Sequence, residues 1–509
     1  MVACNREVSA PGRRLALALG VKLKSQPTLI TEDLISDDEP PDVERVPALV
    51  VLWCIDEPHR AGEVALVPRD AISVLGRGEG GASQEADGRL LLYRQRPGRN
   101  EWAGPLRSPR ISRDQLILEH RPDGTLVVRN VGRAAMLVNR EELPRARLRY
   151  GDVIELKNRL LLYVVERPLR MPAPAHARLR LHPFAGPDQH GIVGETPVMW
   201  ELRERIAFVA ARNAHVLIRG QSGTGKELVA TAIHEMSARH RKAMVSRNAA
   251  TFPETLIDAE LFGNVKDYPN PGMRDRPGLI GEAHESTLFL DEIGELPAEL
   301  QAHLLRVLDD GEYQRLGESQ SRRSDFRLVG ATNRPVVQLK HDFAARLQMH
   351  VQLPSLNDRR EDIPLLTQHL LRRIAQDDPE IARRFFIDED PEGYPRIGPA
   401  LVTGLVRHEF STHVRELGSL LWQAMAGSRG RYLDLVSDMS LEERIDEEEE
   451  EDGGAIDPSA LSPEEIQACL DKHDGVQERV WRELGLKNRF QLYRLIKKHD
   501  LVVDRDSQA

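Results

Sequence analysis

The chain has 509 residues, 40% of them apolar, with 80 acids against 70 lysines and arginines and a net charge of −10. That length suits three or four packed domains, and no uninterrupted apolar run is long enough to span a bilayer. Residues 441–460 hold ten acids and one base, a local sum of −9, so nearly all the net charge belongs to one tract and does not mark an acidic protein. Cys4, Cys54 and Cys469 are too few and too scattered for a disulfide framework or a zinc site.

Residues 1–47 read as a disordered leader. Arg13 and Arg14 precede only about seven apolar residues before Lys22 and Lys24, and no small-residue cleavage site follows, so no signal peptide is expected. The remainder of this stretch is acidic and proline-containing. A cytoplasmic protein with no membrane partner is predicted.

Residues 48–167 consist of short apolar or alternating runs, among them 48–55, 90–93, 115–119, 126–129, 136–138, 153–156 and 160–165. Turn residues such as Gly78-Glu-Gly-Gly81 and Pro122-Asp-Gly124 separate them, a β-sandwich pattern. Gly76-Arg77 follows one strand, Ser112-Arg113 precedes another, and Asn130-Val-Gly-Arg133 leads to Val138-Asn139. With these elements the segment resembles a forkhead-associated (FHA) domain. The resemblance implies binding of a phosphothreonine protein or peptide, with Arg77 and Ser112 on the phosphate and Arg113 and Asn139 beside them. A guanidinium fork and a hydroxyl donor suit that chemistry. Gln115 stands where the family has histidine, which is expected to cost a scaffold hydrogen bond. Ala134-Ala135-Met136 replaces an asparagine-glycine loop and removes a peptide contact. The competing interpretation is a sandwich kept only as a packing surface.

Residues 168–187 carry five prolines and are predicted to form a stiff linker. Beyond them, Gly220-Gln221-Ser222-Gly223-Thr224-Gly225-Lys226-Glu227 has the spacing of a phosphate-cradling loop. It lies between the apolar run Val216–Ile218 and a helix-like run beginning at Leu228. The glycines let successive N–H groups converge on phosphate oxygens at a helix N-terminus, and Lys226 supplies a point charge. About sixty residues later, Leu288-Phe-Leu-Asp291-Glu292 is an apolar strand ending in two carboxylates. Asp291 would hold Mg²⁺ and Glu292 would activate the attacking water. ATP and Mg²⁺ are the predicted cofactors.

Further motifs keep register with this pair. They are Ile192-Val-Gly-Glu-Thr-Pro197, Asn248-Ala-Ala250, Glu260-Leu-Phe-Gly263, Leu304-Leu-Arg-Val-Leu308, Gly330-Ala-Thr-Asn333, Asp358-Arg-Arg-Glu-Asp-Ile363 and Val414-Arg-Glu-Leu417. Along almost all of residues 190–430 the chain resembles the AAA+ domain of bacterial sigma-54-dependent transcriptional activators. The resemblance implies an α/β ATPase subdomain over 188–354 and an α-helical lid over 355–432. It places Ile192 and Val193 by the adenine, and gives Asn248 the task of holding Glu292 inactive until nucleotide and neighbours are right. Asn333 would sense the γ-phosphate, Arg346 would act as an arginine finger in a neighbouring subunit, and Arg415 would report nucleotide state from the lid. A finger acting in trans implies a hexameric or heptameric ring. Lys340 stands where the family has a second arginine, and slower hydrolysis is expected, because a point charge does not reproduce a fork.

The family's loop reading GAFTGA, which touches sigma-54, is replaced here by Asp267-Tyr268-Pro269-Asn270-Pro271-Gly272. Contact with RNA polymerase sigma-54 factor is therefore expected to be lost or altered. After the acidic linker 433–460, residues 461–503 resemble a Fis-type helix-turn-helix. That resemblance implies DNA binding through Asn488, Arg489 and Gln491 at base edges and Arg494, Lys497 and Lys498 at phosphates. The fold class expected is multidomain: an FHA-like β-sandwich, an α/β P-loop domain with a helical lid, and an all-α helix-turn-helix. Two outputs stay open, an ATP-driven transcriptional regulator of the sigma-54 activator type and an ATP-gated DNA-binding repressor or scaffold. A relay in which Thr28 or Thr31 is the sandwich's own ligand is a third.

Overall fold

The computed structural model describes residues 44–78, 88–176, 181–253, 256–437, 439, 441, 461–472 and the single positions Val480, Leu484 and Leu495. The six candidate DNA-contacting residues (Asn488, Arg489, Gln491, Arg494, Lys497 and Lys498), the acidic tract and Thr28 and Thr31 lie outside them.

Twelve strands come first: β1 (Arg45–Cys54), β2 (Val64–Leu66), β3 (Ile72–Leu75), β4 (Leu92–Arg96), β5 (Arg99–Trp102), β6 (Leu116–His120), β7 (Leu126–Asn130), β8 (Met136–Val138), β9 (Glu141–Glu142), β10 (Arg145–Leu148), β11 (Val153–Leu156) and β12 (Leu160–Pro168). They form two antiparallel sheets, ordered β5-β4-β2-β1-β12-β11-β8-β9 and β10-β7-β6-β3. Leu49, Val51, Leu116, Leu118, Val128, Ile154, Leu162 and Val164 fill the space between the sheets.

The α/β subdomain has α1 (Pro197–Ala210), β13 (Val216–Arg219), α2 (Lys226–Glu235), β14 (Val245–Asn248), α3 (Ile257–Phe262), α4 (Gly278–Glu282), β15 (Thr287–Asp291) and α5 (Ala298–Asp310). A short hairpin, β16 (Glu312–Tyr313) and β17 (Arg322–Arg323), precedes β18 (Arg327–Thr332), α6 (His341–Arg346) and β19 (Met349–Gln352). The five-stranded sheet runs β14-β15-β18-β13-β19 and is parallel at every pairing. Val216–Ile218 and Leu288–Leu290 are unbroken apolar runs because helices cover both faces of a parallel sheet.

The lid comprises α7 (Ile363–Asp377), α8 (Pro379–Phe385), α9 (Pro399–Arg407) and α10 (His413–Gly427). A final helix, α11 (Pro463–Lys472), follows, and its Ile466, Cys469 and Leu470 are buried with Val480 and Leu495.

An isolated sandwich would leave the outer face of its large sheet polar. Here β1 and β12 are apolar on both faces. Leu49 and Val51 point into the sandwich, whereas Ala48, Val50, Leu52 and Trp53 share a second core with Leu365, Leu366, Leu401 and Leu405 of the lid. Leu161 and Tyr163 of β12 join the same core. Each such side chain removed from water contributes about 2 kcal/mol. Polar contacts fix the docking. Trp53 Nε1 donates to Ile397 O at 2.8 Å, and Arg167 pairs with Glu361 at 3.0 Å with both side chains largely buried. The described parts of the proline-rich segment are bonded to the sandwich: Gly98 N donates to Met171 O and Arg96 Nη1 to His182 O.

Candidate nucleotide and phosphopeptide sites

β13 ends at Arg219, and the chain turns through Gly220–Gly225 into α2. Gly223 and Gly225 have φ of 80° and 102°, in the left-handed region that favours glycine. Lys226 is almost fully buried, with Nζ 3.1 Å from Gly220 O, 3.4 Å from Gln221 O and 3.6 Å from Glu292 Oε1. A buried ammonium beside a glycine turn and a ten-residue helix N-terminus fits phosphate oxygens.

β15 places Asp291 and Glu292 beside this loop. Asp291 Oδ1 accepts from Glu292 N at 2.9 Å, and Glu292 itself has φ 49°. The residues present at the carboxylate end of the strand therefore suit a divalent cation and a general base. Asn248 sits at the end of the adjacent strand, opposite Asp291 in register. Its side chain does not hold Glu292 as expected: Oδ1 accepts from Ala250 N and starts a short 3₁₀ turn, and Lys226 is the partner of Glu292. Asn333 follows β18 and is exposed, next to Thr332, whose carbonyl accepts from Gly220 N.

Ile192 and Val193 both point into packed cores. The chain there is held by its carbonyls: Arg203 donates to Ile192 O at 3.0 Å and to Gly194 O at 2.9 Å, and Arg359 donates to Val193 O at 3.1 Å. Neither arginine was singled out from sequence, although Arg359 falls inside the Asp358–Ile363 motif. Asp362 accepts from Glu195 N and from Thr196 Oγ1. Burial raises its carboxyl above the ordinary range, and Arg359 with those two donors offsets this only in part.

The lid meets the phosphate loop at the start of α10. Arg415 Nη1 donates to Ser222 Oγ at 3.2 Å, and Val414 N to Gly223 O at 3.2 Å. Glu416 accepts from Ser411 N and Thr412 N, both at 2.8 Å, and from the His408 ring. Burial alone would raise its carboxyl, but these bonds outweigh burial and hold it at about 2. Arg346, at the end of α6, is solvent-facing and paired with Asp309 of its own subunit.

In the sandwich, Arg77 N donates to Ser112 O at 2.9 Å, and Ser112 Oγ accepts from Arg133 N at 2.9 Å. Gly76 is required here, since a Cβ would lie 2.0 Å from Arg113 O. Arg77 and Ser112 are thus joined at one end of the sandwich, with Arg113 exposed beside them. Two expectations change. Gln115 makes scaffold bonds of its own: Oε1 accepts from Ser112 N at 3.1 Å, and Nε2 donates to Asn130 Oδ1 at 2.7 Å and Ala134 O at 2.9 Å. Asn139 has φ 50°, and its amide is spent inside the turn, donating to Asp152 at 2.7 Å and accepting from Val153 N at 3.0 Å. It braces the loop and is no peptide contact in this geometry.

Comparison with known proteins bears on this geometry. Residues 192–357 match the family described as the sigma-54 interaction domain, and residues 96–157 match the FHA domain. The transcriptional regulatory protein ZraR of Salmonella typhimurium is 35% identical over 321 residues, 62% of this chain and 70% of that protein. The chain belongs to the sigma-54-dependent transcriptional regulators. Among other members of this family, the Nif-specific regulatory protein of Bradyrhizobium diazoefficiens is 42% identical over 224 residues, 43% of this chain and 37% of its own. The solved structure of NtrX from Brucella abortus in complex with ADP is 30% identical and covers 62% of this chain and 70% of that chain, with a TM-score of 0.43. This regulator is a P-loop ATPase of the AAA+ class with an FHA domain. Arg77 lies before the matched FHA span, and Arg415 lies beyond the matched sigma-54 interaction span. No helix among the described residues is long and apolar enough to cross a membrane.

Proposed function

We propose that this regulator hydrolyses ATP to change its assembly on DNA and that it lacks the usual hold on sigma-54. The observation that carries this is the loop 267–272. Asp267 Oδ1 accepts from Gly272 N at 2.8 Å, and Asp267 N donates to Met273 O at 2.8 Å. Tyr268 rests against Gly317, and its N–H donates to Val265 O at 3.3 Å. The segment is thereby closed on itself as a proline-containing turn, where the family uses a glycine-hinged tip with a Phe-Thr pair.

Lys226 and the N–H groups of residues 223–227 bind the β- and γ-phosphates, and Asp291 would hold Mg²⁺. The ion would neutralise charge on the phosphate oxygens. Glu292 takes a proton from the water that attacks the γ-phosphorus, and the bond to the bridging oxygen breaks, its electron pair leaving on ADP. Asn333 orients the γ-phosphate, and Arg415 reads it from the lid. Arg346, solvent-facing on α6, serves the adjacent subunit of a hexameric or heptameric ring. Lys340 in place of a second arginine makes turnover slow. Arg77, Ser112 and Arg113 take a phosphothreonine peptide, and Asn488, Arg489, Gln491, Arg494, Lys497 and Lys498 take DNA.

The test is a trap. Full-length protein with ADP and aluminium fluoride, a mimic of the transferring phosphoryl group, is mixed with sigma-54 and run on a native gel beside an activator that shifts sigma-54. The expected result is no shift by this protein. A stable complex would make the closed loop a working sigma-54 contact and overturn the proposal. Absence of a complex favours the ATP-gated DNA-binding repressor or scaffold.

A further inference from the structure

One contact between lid and phosphate loop belongs to no motif. Thr412 and His413, the N-cap and first residue of α10, wrap over the loop so closely that a Cβ on Gly223 would lie 2.1 Å from Thr412 O. The His413 ring nitrogen Nε2 is hydrogen-bonded to Gln221 Oε1, the side chain of the loop's second residue. His413 is fully buried, at 0% exposure. Its φ of 50° lies in the left-handed region, a conformation that strains a non-glycine residue and persists only where surroundings enforce it. Its Nδ1 is buried with no hydrogen-bond partner among the described residues.

These facts fix the chemistry of the contact. Gln221 Oε1 only accepts, so Nε2 carries the proton and Nδ1 is the bare nitrogen of a neutral ring. Burial lowers the basicity of the imidazole, which keeps it neutral. The bond is thus a neutral tether between the lid and the phosphate loop. Arg415 cannot do the same work, because its guanidinium is exposed on the loop at Ser222. His413 is also not aimed at the hydrolytic carboxylates: its described polar partner is Gln221, whereas Glu292 is held by Lys226.

The geometry points to His413 as a positioning residue of the ATPase cycle, a latch that ties the lid to Gln221 and sets the rate at which ADP departs. This rests on the ATPase reading above.

The experiment uses the full chain and a fluorescent ADP displaced by excess ATP in a stopped-flow instrument, with single-turnover hydrolysis measured alongside. Gln221→Ala and His413→Ala are each expected to speed ADP release about tenfold, equivalent to about 1.4 kcal/mol. Single-turnover cleavage recorded on the same variants separates an effect on release from one on the chemical step. The double variant should release ADP no faster than either single one. His413→Asn should restore slow release, since asparagine tolerates a left-handed φ and its amide N–H₂ can donate to Gln221. Additive effects, or an unchanged release rate in Gln221→Ala, would overturn the latch. Gln221 is exposed, so its variant stays readable even where His413→Ala fails to fold. Failure of the unaltered chain to bind the fluorescent ADP would instead sink the ATPase reading itself.

Discussion

Glu292 combines a left-handed backbone with a carboxylate 3.6 Å from Lys226 Nζ, so the general base is held by the same ammonium that receives phosphate. Glu292→Gln should therefore keep nucleotide binding and lower hydrolysis by about a hundredfold or more, checked by ATP binding against phosphate release. Glu416 carries a pH dependence whose sign follows from its carboxyl being held at about 2 against an ordinary 4.5. A depressed acid stabilises the fold fully above about pH 4.5, and that contribution disappears as pH falls toward 2. Thermal midpoints measured from pH 5 to 2.5 should fall less steeply for Glu416→Gln than for the unaltered chain. At this scale the sequence was legible wherever spacing encodes chemistry, as in the run Gly220–Glu227 with Asp291 and Glu292. It was not legible where a polar side chain has several partners within reach. Asn248 went to a turn and Asn139 to Asp152, and only packing decides such choices. His413 carries no motif because its role depends on a backbone angle.

Two short elements repay comparison. Gln115 gathers Ser112 N, Asn130 Oδ1 and Ala134 O around one buried amide. Removing it strands Ser112 N, whereas Asn130 Oδ1 keeps Gly132 N and Ala134 O keeps Asn130 Nδ2, so Gln115→Ala should lower the stability of the sandwich by about 2 kcal/mol and weaken any phosphopeptide binding at Arg77, as calorimetry would detect. Sequence suggested a lost bond there, since a family pattern records which residue is usual and not which other residue can reach the same atoms. In the loop 267–272 the clasp from Asp267 to Gly272 N was not foreseen. It needs the left-handed φ of 63° at Asp267, which composition does not reveal.

The whole molecule departs most from its sequence. Strand and helix periods divided the chain into modules, yet sandwich and lid share one core around Trp53, Leu365 and Leu405. The run Ala48–Cys54 hinted at this, because a half-exposed strand alternates and this one does not. Arg167 and Glu361 are buried opposite each other in that junction. Burial already pushes the Glu361 carboxyl above its usual range, which Arg167 only partly opposes. Arg167→Ala leaves that acid unpaired and should cost about 3 kcal/mol, whereas Arg167→Met with Glu361→Leu should recover most of the loss. Denaturant titration followed by Trp53 fluorescence and by ATPase activity would check this, and both signals should fall together if the junction is one cooperative unit.

The two-sided character of β1 and β12 also bears on how such a regulator can be dissected. Cutting the gene at the apparent boundary near residue 188 would strip a greasy panel on both fragments, Leu52, Trp53 and Tyr163 on one and Leu365, Leu401 and Leu405 on the other. Each fragment would then self-associate through its bare panel. Oligomers formed by the excised ATPase would report that wound, and a gain or loss of activity on truncation would measure the injury before it measured any release from regulation.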